Sequence, residues 1–120
     1  MPNVNVNILV PQGALYTATS GQSIGTDGCA TCVGVIFSLQ DGSRVCAHFD
    51  SAIPGTNSDQ TDEIINQTRG IIEANIPGVV TNVRACTTAP LTQSTGAIWA
   101  TILSLYADAT INTNVNGIYS

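Results

Sequence analysis

The sequence predicts a single domain with a mixed α/β (α+β) fold, in which several strands accompany two helices. Val and Ile alternate with Asn in residues 3–10, which is typical of a half-buried strand, whereas apolar residues recur at helical spacing from Ser58 onward. The length of 120 residues allows one hydrophobic core but not two. Because no linker or repeat separates the two kinds of segment, we assign residues 1–120 to one domain.

The first half of the chain is predicted to consist of strands. Pro11 to Gly13 end the alternating first strand, and ALYTAT (14–19) is predicted to form a second. A Gly-rich loop, SGQSIGTDG (20–28), is expected to follow. Two runs of β-branched and aromatic residues then flank Gln40-Asp41-Gly42 and predict a hairpin, VGVIFSL (33–39) and SRVCAHFD (43–50).

The second half of the chain alternates between helix and strand. Helical periodicity begins at Ser58, with acidic residues near the positive N-terminal end, and Asn75 with Pro77-Gly78 ends this first helix. The remaining predicted elements are a strand (79–87), a loop (88–95), a second helix (about 96–107) and an alternating, closing strand (109–120).

The hairpin determines which side chains share a face. A three-residue loop with Gly42 in the left-handed conformation is expected for Asp-Gly. One face is then apolar except beside the loop, through the pairs Leu39–Ser43, Phe37–Val45, Val35–Ala47 and Val33–Phe49. On the other face His48 lies opposite Gly34 and diagonal to Cys32, where Cα atoms are about 7–8 Å apart, within side-chain reach.

Composition excludes two classes of partner. The net charge is −5, there is no lysine, and the basic side chains are Arg44, Arg69 and Arg84. A nucleic-acid binder needs a basic footprint to replace phosphate counterions, and an anionic membrane surface also attracts basic residues. We therefore expect neither nucleic acid nor a membrane as a partner.

The apolar segments suggest a soluble protein. The first ten residues contain no basic start and no long apolar run, so no secretion signal is expected. The most apolar stretch, AIWATILSLYA (97–107), is too short to span a bilayer. We expect the cysteines to be reduced and the protein to act in the cytoplasm or after delivery into a host cytosol.

The segment GCATCVGVIFSLQDGSRVCAH (28–48) contains three of the four cysteines and the single histidine. Cys29, Cys32, Cys46 and His48 are residue types suited to a tetrahedral zinc site, which would make the protein a non-enzymatic zinc-binding or interaction module. Cys29 and Cys32 also form a C-x-x-C pair, although redox pairs usually open a helix and a strand is predicted here. The cysteines could instead be small apolar fillers.

We favour a nucleophile with its base, Cys32 with His48. A free thiol is only slightly ionised at neutral pH and needs a neighbouring imidazole to become a thiolate. The predicted register supplies that imidazole, and backbone N–H groups of the preceding Gly-rich loop could form an oxyanion hole. No cofactor and no metal is expected in this interpretation.

The same residues resemble a known family. Thr26-Asp-Gly-Cys-Ala-Thr-Cys32 followed by a strand, and then Cys46-Ala-His48-Phe, resembles the bacterial chemotaxis-receptor deamidases (CheD). The segment also looks like the region around the nucleophile of protein N-terminal asparagine amidohydrolase. Toxins of the cytotoxic-necrotizing-factor type share such a Cys–His core. The resemblance implies a CheD-like layered sandwich, with mixed sheets and two helices.

The resemblance also implies roles and an activity. Cys32 would be the nucleophile, His48 the base and Thr26 the residue that orients the imidazole, while Gly28-Cys29 resembles the S-G-C of the toxins and leaves Cys29 as an alternative nucleophile. The expected activity is deamidation of a glutamine, or an asparagine, in a protein substrate. Loops 53–60 and 87–95 are expected to select that substrate.

Overall fold

The computed structural model describes residues 6–28, 32–50, 58–76, 78–87, 93–113, 115 and 117–120. Within these residues the chain forms eight strands and two helices. In chain order they are β1 (Ile8–Leu9), β2 (Leu15–Ala18), β3 (Ile24–Thr26), β4 (Cys32–Leu39), β5 (Arg44–Asp50), α1 (Ser58–Asn75), β6 (Val80–Cys86), α2 (Gln93–Leu105), β7 (Thr110–Asn112) and β8 (Ile118–Tyr119).

The strands form two sheets, and with the helices they build three layers. Five strands lie in the order β2-β5-β4-β6-β7 and three in the order β1-β3-β8. The helices pack on one face of the five-stranded sheet, and the three-stranded sheet packs on the other, through two separate apolar clusters. The mixed α/β class and the layered arrangement predicted from the sequence are therefore confirmed.

The helical layer covers the largest apolar cluster. Its members are the alternate residues of β4 and β5 with the buried faces of β6 and both helices, Val33, Val35, Phe37, Leu39, Val45, Ala47, Phe49, Ile64, Ile72, Val83, Ala85, Ala97, Ile98 and Ile102. Phe37 is fully buried and meets Tyr106 edge to face, with ring centroids 5.7 Å apart. The isoleucines that recur at helical spacing in α1 therefore lie on its buried face, as the sequence predicts.

The β4–β5 hairpin has the predicted register. Val35 pairs with Ala47 and Gly34 with His48. Leu39 N–H donates to Ser43 O at 2.9 Å, and Gly42 has a φ of 90°. Residues with a side chain rarely adopt this left-handed backbone conformation, whereas glycine adopts it with little strain and so closes the loop.

The second sheet depends on close approach of two strands. A Cβ atom on Gly25 of β3 would lie 2.2 Å from Tyr119 Cδ1 and 2.7 Å from Ile118 O of β8. The ring of Tyr119 also lies against Gly117. Glycine at position 25 therefore allows β8 to pair with β3 and close this sheet.

Several boundaries differ from the sequence prediction. Residues 24–26 were expected in a loop but form β3, because their partners are the distant strands β1 and β8. The tail forms two short strands in different sheets, where one closing strand was expected. The helix α1 begins at Ser58, as its periodicity predicts, so residues 58–60 belong to this helix although they were also assigned to the substrate loop 53–60. The helix α2 begins at Gln93, three residues earlier than predicted. The other residues of the two expected substrate loops lie outside the described residues, except Thr87.

In the described part of the chain, neither α1 nor α2 is long and apolar enough to cross a membrane.

Candidate active site

The candidate site lies between the two sheets, on the face of β4 and β5 that points away from the helices. His48 on β5 pairs with Gly34 on β4, and Cys32 begins β4 two residues earlier. Both side chains are buried, His48 at 4% and Cys32 at 2% exposure. Strand alternation therefore places the thiol and the imidazole on one face, with a glycine opposite the ring.

Thr26 approaches His48 from the other sheet. Its Oγ1 lies 2.7 Å from His48 Nδ1 and 2.7 Å from the carbonyl oxygen of Val10. A carbonyl can only accept, so the single hydroxyl proton goes to Val10 O. His48 Nδ1–H must then donate to Thr26 Oγ1. The neutral ring keeps its lone pair on Nε2, the nitrogen that a general base uses.

Residues 10–14, which we call the strap, connect the two sheets over this site. Ala14 N–H donates to Pro11 O at 3.1 Å, and Gly13 has a φ of 78°, so the strap contains a tight turn that favours glycine. Gly13 N–H donates to His48 O, and His48 N–H donates to Ala14 O, both at 3.0 Å. The strap is thus fixed to the backbone of the histidine itself.

The strap also reaches the thiol. Gln12 Nε2 donates to Cys32 Sγ at 3.9 Å, a long contact of the kind that sulfur accepts. A cleft of about 370 Å³ opens here, lined by Leu9, Val10, Pro11, Gln12, Asp27, Gly28 and His48. Sequence reasoning missed Gln12; its only signal was the Pro-Gln-Gly turn, whose return to β5 cannot be read locally.

Cys46 shares the inter-sheet face but has different surroundings. It pairs with Ile36 and is fully buried. Burial raises the pKa of Cys46 from 9.0 to about 12; nearby Cys86 adds to the rise, and Arg84 opposes it. The thiol is therefore neutral at physiological pH, which suits packing between the sheets and not nucleophilic attack.

Two of the predicted zinc ligands, Cys32 and Cys46, lie apart on the inter-sheet face. Cys46 lies opposite Ile36, four residues along β4 from Cys32, a separation of about 13 Å. No group of three or more His, Cys, Asp or Glu residues in the described ranges could hold a metal ion. This spacing disfavours joint coordination of one zinc ion by Cys32 and Cys46.

Part of the predicted site falls outside the described residues. Cys29, the alternative nucleophile and redox partner, lies in the segment 29–31. The Gly-rich loop (20–28) that was expected to supply oxyanion-hole N–H groups is described, and its residues 24–26 belong to β3. Cys32, at the other end of that C-x-x-C pair, begins a strand, and no helix starts there. The structure thus brings Thr26 and His48 together beside the strand that begins at Cys32.

The chain was compared with known proteins. Neither a scan against protein-family models nor a search of curated proteins finds a match. The resemblance to the CheD-like deamidases therefore stays a prediction, and a function is best argued from the geometry of the site.

Proposed function

We propose that this protein is a cysteine-dependent amidohydrolase that deamidates a side-chain carboxamide of a protein partner, with glutamine as the preferred residue. The observation that carries the proposal is the hydrogen bond between Thr26 and His48 Nδ1, which makes Nε2 the basic nitrogen on the strand face shared with Cys32. A base of fixed tautomer on the same strand face as a thiol is the arrangement that a cysteine nucleophile needs.

In the first half-reaction the substrate acylates the enzyme. His48 Nε2 takes the proton of Cys32, and the thiolate attacks the carboxamide carbon, forming a C–S bond while the carbonyl π electrons move to oxygen. Collapse of this oxyanion breaks the C–N bond. The imidazolium of His48 gives its proton to the departing nitrogen, so that ammonia leaves and a thioester remains.

In the second half-reaction water releases the product. His48 Nε2 removes a proton from water, the hydroxide oxygen adds to the thioester carbon, and collapse breaks the C–S bond while the imidazolium returns its proton to the sulfur. The products are a glutamate side chain and the restored thiol. An amine in place of water would give an amide and hence transglutamination; this chain contains no lysine to supply that amine.

Burial supports glutamine over asparagine. The thiol and the imidazole are almost inaccessible, and His48 lies in the wall of a cleft of about 370 Å³. Glutamine has one more methylene than asparagine, so its carboxamide reaches further from the substrate backbone. A change from amide to carboxylate adds a negative charge to the partner, which suits regulation.

Ammonia release and peptide mass spectrometry test the proposal directly. A host-cell lysate is incubated with wild type, Cys32→Ser, His48→Ala and the control Cys46→Ala, and glutamine-to-glutamate conversion is mapped on every protein. We expect specific conversion with wild type and Cys46→Ala and none with the other two variants. Conversion by Cys32→Ser or His48→Ala at the wild-type rate would refute the assignment. Stoichiometric zinc in protein purified without chelator would favour the metal-binding alternative.

A further inference from the structure

Gln12 is the candidate-site residue to which the reaction above gives no role. It lies in the strap, its side chain is exposed to the cleft, and its Nε2 is 3.9 Å from Cys32 Sγ. Among the described residues that line the cleft, Leu9, Val10 and Pro11 have apolar side chains, and Asp27 has a carboxylate. The cleft is also lined by His48, whose Nδ1–H donates to Thr26, and by Gln12, whose side-chain amide brings a neutral N–H donor close to the thiol.

The position of Gln12 is set by the same contacts that hold the base. The turn before Ala14 is closed by a hydrogen bond to Pro11 O and fixed to both backbone groups of His48. Val10, at the start of the strap, accepts from Thr26. The donor, the base and the residue that orients the base therefore form one connected unit, which is the preorganisation that a catalytic donor requires.

We propose that the side-chain amide of Gln12 is a donor of the oxyanion hole. The inference rests on the proposed cysteine amidohydrolase function and adds a catalytic residue to it. During attack by Cys32 the negative charge develops on the carbonyl oxygen of the substrate, which is bonded to the carbon that forms the C–S bond. A donor acts on such an oxygen from about 2.7–3.1 Å. Because Nε2 lies 3.9 Å from Sγ, an oxygen bonded to the carbon that Sγ attacks comes within reach of the same N–H from beside the sulfur.

Two reactions of the Cys32 thiol distinguish stabilisation of an oxyanion by Gln12 from an effect of Gln12 on the reactivity of the thiol itself. Acylation by p-nitrophenyl acetate proceeds through an oxyanion: the thiolate adds to the ester carbon, and p-nitrophenolate leaves with the electrons of the broken C–O bond. Alkylation by iodoacetamide displaces iodide at a saturated carbon and forms no oxyanion. Loss of an oxyanion donor therefore slows the first reaction and not the second.

The experiment measures both rates for wild type, Gln12→Met and Gln12→Ala. Methionine keeps the length of the side chain and removes the donor. Gln67→Met, an exposed glutamine of α1, is the matched control. We expect the acylation rate of both Gln12 variants to fall about 10²-fold, while their alkylation rate and the rates of the control stay at wild-type values.

Each other result contradicts the inference in a recognisable way. Unchanged acylation in Gln12→Met would show that Gln12 is outside the oxyanion hole. An equal fall in acylation and alkylation would show that Gln12 acts on the thiol and not on the oxyanion. A wild type whose Cys32 reacts with neither probe faster than Cys46 would refute the proposed function itself, and the inference with it.

Discussion

The two faces of the five-stranded sheet contain different chemistry. Toward the helices, β4 and β5 present Val33, Val35, Phe37, Val45, Ala47 and Phe49, all buried in one apolar cluster. Toward the three-stranded sheet, the same two strands present Cys32, Gly34, Ile36, Cys46 and His48. Because successive residues of a strand point to opposite faces, one hairpin supplies both the main core and the candidate site.

The difference between the two faces separates the residues that stabilise the fold from those that form the candidate site. Large apolar side chains face the helices, where burial contributes most of the folding free energy. Smaller and polar side chains face the second sheet, where Thr26 and the strap hold His48 by hydrogen bonds. Substitutions on the helical face should therefore change stability alone, and substitutions on the inter-sheet face should also change chemistry.

The largest expected effect on stability is on the helical face. Phe37→Ala removes a fully buried ring that contacts Tyr106, and we expect the free energy of unfolding to fall by about 3–5 kcal/mol because a cavity remains. Urea denaturation measures it. Leu103→Ala on the exposed side of α2 is the control and should change the free energy far less. Similar losses in the two variants would contradict the assignment of the main core.

Thr26→Val tests the inter-sheet face. The substitution keeps the shape and removes the hydroxyl, leaving two buried polar groups at Val10 and His48, and we expect a loss of about 1–3 kcal/mol. Nitrogen-15 NMR of the single histidine reports the tautomer. Wild type and Thr26→Ser should hold the proton on Nδ1, whereas Thr26→Val should shift it toward Nε2. A wild-type proton on Nε2 would overturn the assignment of the base.

A pair of glycine substitutions distinguishes the two layers. Gly25→Ala places a methyl group against the backbone of Ile118, and we expect a loss of about 1–3 kcal/mol together with loss of thiol reactivity, because β3 contains Thr26. Gly70→Ala in α1 meets nothing within 4 Å and should stabilise the protein by about 0.5–1 kcal/mol. Thermal unfolding measures both, and shifts of equal sign would contradict the account of β3 and β8.

The last expected effect is confined to alkaline pH and concerns Cys46. Since burial raises the pKa of this thiol to about 12, the unfolded chain ionises at position 46 between about pH 9 and 12 while the folded protein does not. Stability should therefore fall as pH rises through this window, with a contribution of about 1.4 kcal/mol per pH unit from Cys46. Cys46→Ala should have a shallower alkaline slope. Burial also raises the pKa of Tyr106, but this residue is present in both proteins and contributes equally to both slopes. Equal slopes would show that Cys46 is not the group responsible.

Local patterns in the sequence were sufficient to predict much of the fold. The hairpin register follows from an Asp-Gly loop and from alternation, and α1 follows from its period and from Asn75 with Pro77-Gly78. The residues 24–26 were misassigned because their strand is only three residues long and its pairing partners lie at both ends of the chain. Non-local pairing leaves no periodic signal in so short a segment.

The candidate site was predicted only in part for the same reason. The position of His48 opposite Gly34 came from the register, and the role of Thr26 came only from a resemblance. The carbonyl of Val10, which determines the direction of the Thr26 hydrogen bond, and the contact of Gln12 with Cys32 depend on the strap that joins the two sheets. No spacing in the sequence predicts how a connection between sheets returns to a strand.

The most direct test of the central claim is the site of iodoacetamide modification at neutral pH, mapped by mass spectrometry on wild type and His48→Ala. The account predicts that Cys32 is modified first, that Cys46 and Cys86 react only after denaturation, and that His48→Ala abolishes the preference for Cys32. Modification concentrated on Cys29, or an equal rate at Cys32 in both proteins, would contradict the pairing of Cys32 with His48.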